Sequence, residues 1–209
     1  MNKDTVIRYF RDPPEIHTER LLLRRMKKTD YRDMYDYARR DDVTKYLLWY
    51  PHTSENQTYS YLNSIQQSYK CGEFYDWAVV ITETGRMIGT CGFTTINVEN
   101  RRAEVGYVFN PDYWGNGYAT EAVSAAIEFA FKELGMNRVE AHYIVGNDKS
   151  LAVMKRCGMT PEGILKDYML IKGDYKDIGF CAVTRSAFQK NGTYSMSEAT
   201  SWLKKLISI

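Results

Sequence analysis

The stretch Asn110-Pro111-Asp112-Tyr113-Trp114-Gly115-Asn116-Gly117-Tyr118-Ala119-Thr120-Glu121-Ala122 sits between two segments of different periodicity. Before it, Arg102 to Phe109 reads as a strand. After it, Ala119, Ala122, Val123, Ala126, Ile127, Ala130, Phe131 and Leu134 recur at the spacing of one helical face, which predicts a long helix from Tyr118 to Leu134, closed by Gly135. A strand feeding such a loop and helix aims unpaired backbone N–H groups outward at the positive end of the helix dipole, a setting that suits a phosphate or pyrophosphate. Gly115 and Gly117 let the backbone approach an anion without side-chain obstruction. The competing reading is a tight turn that needs two glycines, and a G-x-G taken alone favours it.

Upstream, Arg20-Leu21-Leu22-Leu23-Arg24-Arg25 reads as a first strand, and Thr29-Asp30 supply N-cap chemistry for a helix through about Arg40. Ser54-Glu55-Asn56-Gln57 has the form of a capping box opening a second helix, with Gly72 placed to end it. Phe74 to Thr82, Arg86 to Asn97 and Arg102 to Phe109 form an antiparallel meander. Downstream, Arg138 to Val145 reads as a strand, Leu151 to Arg156 as a short helix ended by Gly158, and Thr160 to Ile171 with Asp174 to Arg185 as a hairpin turning at Lys172-Gly173. The expected organisation is an N-terminal extension over residues 1–15, one domain over residues 16–190, and a tail over residues 191–209. That tail carries Ala199, Trp202, Leu203, Leu206 and Ile207 at helical spacing, so it is expected to pack on the domain or on a second copy, in a monomer or a homodimer.

Composition narrows the class. With 209 residues and 44% hydrophobic content the chain can build one core without needing two. The 28 Lys and Arg nearly balance 26 Asp and Glu and are interspersed with them, so neither a nucleic-acid tract nor a polybasic membrane patch is expected. The N-terminal residues lack the apolar core of a signal peptide, and no uncharged run is long enough to cross a bilayer, so a cytoplasmic protein is expected. Cys71, Cys91, Cys157 and Cys181 are widely separated, and His17, His52 and His142 fall into no ligand spacing, so reduced thiols and no metal are expected.

Trp114-Gly115-Asn116-Gly117-Tyr118-Ala119 resembles the pyrophosphate-binding loop of the GNAT N-acetyltransferase superfamily, in the form found in its ribosomal-protein-alanine (RimJ/RimL-type) branch. The similarity runs from about Ile16 to Phe188. It takes in Thr18-Glu19-Arg20-Leu21-Leu22-Leu23-Arg24, Glu104-Val105-Gly106-Tyr107, Asn147-Asp148-Lys149-Ser150 and Cys157-Gly158-Met159. The resemblance implies an α/β (α+β) fold: a strongly twisted, mixed, mostly antiparallel sheet, flanked by helices, whose central parallel strands splay into a V-shaped slot for the pantetheine arm of acetyl-CoA. By the same resemblance the amides of Gly115, Asn116, Gly117, Tyr118, Ala119 and Thr120 would hold the pyrophosphate. The backbone around Val108 and Phe109 would contact the arm and thioester, and Asn147 would bond the arm from the opposite side. Trp114 stands where the broader superfamily has Gln or Arg, a departure that leaves phosphate binding to the amides.

Acetyl transfer to an amine needs a neutral nitrogen, a polarised carbonyl and a proton for the leaving thiolate. An alkylammonium with a pKa of about 10.4 is mostly protonated at neutral pH, so a base or water relay must deprotonate it. Glu104, between Ala103 and Val105, is the candidate base; the alternative is an exposed carboxylate paired with Arg101 or Arg102. Many superfamily members carry a tyrosine as general acid where this chain has Met154, and Ser150 resembles the serine of the ribosomal branch that could serve instead. The alternative for Ser150 is the N-cap of the helix beginning at Leu151. A carboxylate that some branch members carry falls at Met169, with Asp167 close by. The expected acceptor is a protein N-terminal amine, or else a small polyamine or antibiotic amine; a non-catalytic acyl-CoA-binding module is the rival class.

Overall fold

The computed structural model describes residues 3–191, and the helix-spaced tail lies outside the described residues. In chain order the elements are α1 (Lys3–Arg11), β1 (Ile16–His17), β2 (Leu21–Arg24), α2 (Tyr31–Ala38), α3 (Asp41–Thr44), α4 (Glu55–Cys71), β3 (Tyr75–Ile81), β4 (Met87–Asn97), β5 (Arg102–Phe109), α5 (Tyr118–Lys132), β6 (Arg138–Ile144), α6 (Asp148–Arg156), β7 (Thr160–Ile171), β8 (Asp174–Thr184) and α7 (Arg185–Asn191). The eight strands form one sheet in the order β1-β2-β3-β4-β5-β6-β8-β7. All neighbours are antiparallel except β5 and β6, which run parallel for only three pairs: Arg102 with Arg138, Ala103 with Val139 and Glu104 with Glu140. Beyond Glu104 the two strands carry no further pairing and diverge, giving the splayed centre that the resemblance implied.

Each face of the sheet has its own core. Against α1 and α5 pack Trp77, Val79, Cys91, Phe93, Ala103, Val105, Phe109, Val139 and Ala141. Against α2 and α4 pack Ala78, Val80, Met87 and the partly buried Val108. The alternation along β3 and β5 fixes which side each residue serves. On α5 the buried set runs through Ala122, Val123, Ala125, Ala126, Ile127, Phe129, Ala130 and Phe131, more than one stripe, so this helix is enclosed nearly all round.

Local chemistry departs from the sequence reading at several places. Ser54 accepts from Gln57 N–H, but the Gln57 side chain accepts from Thr53 N–H and Thr53 hydroxyl, so the box is displaced by one residue. Asp30 uses its carboxylate on Lys27 N–H at 2.7 Å and, bidentately at 2.8 Å, on Arg24, which fixes the turn from β2 into α2. The hairpin turn at Lys172-Gly173 has φ of 54° and 90°, the two positive values a tight two-residue connection requires. Asn147 caps α6 by accepting from Ser150 N–H, so that helix begins at Asp148 and Ser150 lies inside its first turn; the reading of Ser150 as N-cap is corrected.

The largest addition is α1. The sequence reading placed no element in residues 1–15, because nine residues with Lys, Arg and Asp among them carry a short stripe only. In the fold that stripe is Val6 and Phe10, both buried. Phe10 meets the rings of Tyr75, Trp77, Phe93 and Phe129 at centroid distances of 4.8 to 6.4 Å. The N-terminal segment is therefore part of the main core. Phe10→Ala should destabilise the protein by about 3–5 kcal/mol in chemical denaturation, whereas a dispensable extension would leave the midpoint unchanged.

Candidate active site

Where β5 and β6 separate, a cleft of about 1530 Å³ opens between β5, the N-terminal half of α5, α6 and the α3 region. Val108, Phe109, Trp114, Gly115, Gly117, Tyr118, Ala119, Thr120, Asn147 and Ser150 all line it. Gly115 and Gly117 both have φ of 82°, a left-handed backbone that L-residues with a Cβ rarely adopt, and Gly117 serves as N-cap of α5 with no side chain bonded to the helix end. The first turn of α5 thus presents its amides to the cleft; Ala119 and Thr120 carry small side chains there, and the Tyr118 ring packs under Arg20. Asn116 turns away: its side-chain amide donates to the carbonyls of Tyr113 and Trp114. The Trp114 indole N–H donates to Phe109 O at 2.9 Å, and Lys149 Nζ lies 4.2 Å from the centre of its ring.

A clamp from the turn between β1 and β2 holds this loop. Glu121, in the first turn of α5, accepts from Thr18 Oγ1 at 2.6 Å, from Arg20 N–H at 2.8 Å and from Arg20 Nε at 2.8 Å. Arg20 Nη1 donates to Asn116 O at 3.0 Å, and the guanidinium lies 4.6 Å from the centre of the Tyr118 ring. Thr18-Glu19-Arg20 was quoted only as part of a resemblance; in the fold it ties the sheet's first strands to the anion loop 96 residues further on.

The two sequence candidates for acid and base fall on different sides of the split. Ser150 lines the cleft and shares a 2.9 Å hydrogen bond with the Tyr107 hydroxyl, which also donates to Ser150 O at 3.0 Å. Tyr107 thereby spans from β5 to α6 across the opening. Burial pushes its hydroxyl above the ordinary tyrosine range, which keeps it a neutral hydrogen-bond donor. Sequence reasoning gave Tyr107 no role, although it closes the quoted Glu104-Val105-Gly106-Tyr107.

Glu104 does not line the cleft. It projects from the last paired rung to the other face, the one α2 and α4 cover, where Oε1 is 3.4 Å from His142 Nδ1. Its expected pairing with Arg101 or Arg102 is not found, since Arg102 faces Glu140 at 3.4 Å. The His142 ring packs on Phe180 at 4.0 Å, and Phe180 on Tyr168 at 5.4 Å. A bulge in β7 between Leu165 and Met169 sets Tyr168 there, with Asp167 N–H bonded to Asp177. Asp167 therefore shapes the bulge. Among the described residues no group of three His, Cys, Asp or Glu side chains is placed to hold a metal ion, and no helix is long and apolar enough to cross a membrane. All four cysteines are free thiols.

Residues 40–46 cross the mouth of the cleft. Arg40 bonds Asp112 at 2.7 Å, Tyr46 donates to Gly146 O at 3.0 Å, and Lys172 from the β7–β8 turn donates to Thr44 O at 2.7 Å. This strap touches the loops after both β5 and β6.

The family described as the acetyltransferase (GNAT) domain matches residues 20–160 of the chain. The [ribosomal protein uS5]-alanine N-acetyltransferase of Escherichia coli is 27% identical over 175 residues, covering 80% of this chain and 89% of that protein. The spermidine N(1)-acetyltransferase of Vibrio cholerae is 24% identical over 168 residues, covering 80% of this chain and 95% of that one. The crystal structure of a GNAT-family acetyltransferase from Bacillus anthracis superposes with a TM-score of 0.74 at 28% identity, covering 82% of this chain and 98% of that one. With the family match covering residues 20–160 and the likeness of fold, the chain belongs to the GNAT family of N-acetyltransferases.

Proposed function

We propose that the cleft takes acetyl-CoA and that a primary amine, entering from the opposite face of the split, attacks its thioester directly. The observation that carries this reading is the uncapped N-terminus of α5 opening into a cleft whose inner wall is the unpaired half of β5. The glycine-lined amides suit the pyrophosphate, and the cleft is large enough for an extended nucleotide thioester. In the transfer, the amine nitrogen forms a bond to the acetyl carbon as the carbon–sulfur bond breaks. The amine's proton passes to Glu104, directly or through water, and the Ser150 hydroxyl, held in place by Tyr107, gives its proton to the sulfur and regains one from water. Ser150 and Glu104 flank the split from its two faces, which agrees with one acting on the leaving group and the other on the nucleophile.

The acceptor is a primary amine, a protein N-terminus on the branch resemblance or a small amine. The two relatives with named acceptors differ on this point at similar identity. Cytoplasmic operation fits a supply of acetyl-CoA. Cys157, the thiol nearest the cleft, is an unsuitable nucleophile: burial pushes it up to about 11, where little thiolate forms at neutral pH, and Ser124 lies 3.5 Å away.

Acetyl-CoA at about 100 times its dissociation constant should add about 2.7 kcal/mol of stability, read as a rise in thermal midpoint. Gly117→Trp should abolish that rise, because a side chain at φ 82° is strained and would occupy the anion's place. Arg20→Ala, which frees Glu121 and the Asn116 carbonyl, should weaken acetyl-CoA about tenfold in calorimetry with kcat little changed. Normal binding in Gly117→Trp would place the site elsewhere. Glu104→Gln should lower kcat/KM by about 10²–10³-fold while acetyl-CoA affinity stays at the wild-type value. An unchanged kcat/KM would remove Glu104 from the chemistry.

A further inference from the structure

The face that holds Glu104 carries a second carboxylate that the chemistry above does not use. Asp76, near the start of β3, projects to the same side as Ala78, towards α2 and α4. Register places Asp76, Gly92 and Gly106 on one rung of β3, β4 and β5, so two successive strands present no side chain beside it. A Cβ on Gly92 would lie 2.7 Å from Asp76 Oδ1, and one on Gly106 would lie 2.8 Å from Thr94 Cγ2. On that rung β4 and β5 contribute backbone alone, with the Thr94 methyl over Gly106, Asp76 at one end and Glu104 along β5 at the other. Two strand spacings, about 9.6 Å, separate the strands bearing the two carboxylates.

The nook at Asp76 is enclosed yet incomplete. Asp76 Oδ1 accepts from Trp77 N–H at 3.1 Å, and the Thr90 hydroxyl is a further donor. Part of the residue reaches the surface, but its carboxylate is shielded, and lost hydration pushes it up to about 7. Its charge is felt at the hydroxyls of Tyr37 and Tyr61, which burial also pushes up. Tyr69 is fully engaged, donating to Asp76 O at 2.6 Å and accepting from Met26 N–H at 3.2 Å. Tyr37 is 2% exposed, and among the described residues its buried hydroxyl has no hydrogen-bond partner. Tyr61 stands at the rim, followed by His52 at 6.2 Å and Trp49 at a further 5.4 Å.

With two donors on it the shielded Asp76 carboxylate keeps accepting capacity, the buried Tyr37 hydroxyl has no partner among the described residues, and the aromatic rim favours a cation. We propose that this nook binds a second cationic group of the acceptor, an ammonium separate from the amine that is acetylated. The inference rests on the acetyltransferase reading and narrows it. The acceptor is a primary amine with a second positive charge a short chain away, as in an alkane diamine or in a peptide N-terminus followed by a lysine.

The test compares two matched pairs under saturating acetyl-CoA: 1,6-diaminohexane against hexylamine, and an Ala-Lys peptide against its Ala-norleucine counterpart. The wild-type protein should favour the cationic member of one pair by tenfold or more in kcat/KM, and the pair that shows the preference identifies the source of the charge. Asp76→Asn should erase the preference by raising KM for the cationic member alone, with acetyl-CoA affinity unchanged in calorimetry. Tyr37→Phe should raise the same KM without lowering the thermal midpoint, since it deletes a hydroxyl with no partner in the free protein; this variant decides the matter if Asp76→Asn folds poorly. Absence of a preference in both pairs, absence of transfer to all four amines by a protein that binds acetyl-CoA, or an equal loss for both members in Asp76→Asn would overturn the inference. Failure to bind acetyl-CoA would instead overturn the acetyltransferase reading.

Discussion

Three residue pairs of parallel strand join the two halves of this sheet, and the rest of the molecule depends on where that pairing stops. Strands β1 to β5 reach β6, β8 and β7 only through β5 and β6. A longer ladder would close the cleft. A shorter one would leave the halves linked by helices alone. The stop at Glu104 exposes the edge of β5, aims the turn after Phe109 into α5 and brings α6 within reach of Tyr107. Unpaired backbone in the middle of a sheet is costly unless something else bonds it, so the gap is itself a binding surface.

What occupies the two sides of the gap divides the chemistry. One side has uncapped amides, glycines and the clamped loop, suited to an anionic nucleotide. The other has carboxylates, tyrosines and a glycine floor, suited to an amine. An amine must approach a thioester carbonyl through its face, out of the plane that holds the carbon–sulfur bond, and a split sheet provides separate approaches for the amine and the thioester to one point without a tunnel through a packed core.

Much of this was legible in the sequence because local signals agreed with the fold. Helix α5, the meander and the turn at Lys172-Gly173 all fall where period and glycine chemistry put them, and the loop of Gly115 and Gly117 lies between strand and helix as its context implied. The residues that escaped are those whose meaning lies in distant partners. Phe10 becomes a core residue only when Trp77 and Phe129 arrive. Arg20 is a surface arginine until Glu121 stands opposite it. Asp76 reads as an ordinary strand-end carboxylate, and nothing near it in sequence tells that Gly92 and Gly106 flank it across two strands. The alternative reading of Ser150 as a cap arose because the helix start was placed three residues late, and Asn147, already marked for another purpose, holds that position.

The strap of residues 40–46 has a thermodynamic consequence. It is bonded to the loop after β5 through Asp112 and to the loop after β6 through Gly146, so it measures the width of the gap. On the proposed reading, a nucleotide seated between those loops would act on the strap, which lies at the mouth of the same cleft. Binding on the two sides is then linked, and linkage is reciprocal: the factor by which the nucleotide alters affinity for the amine is the factor by which the amine alters affinity for the nucleotide. The coupling between the two sides would then be set by two hydrogen bonds across the mouth of the cleft.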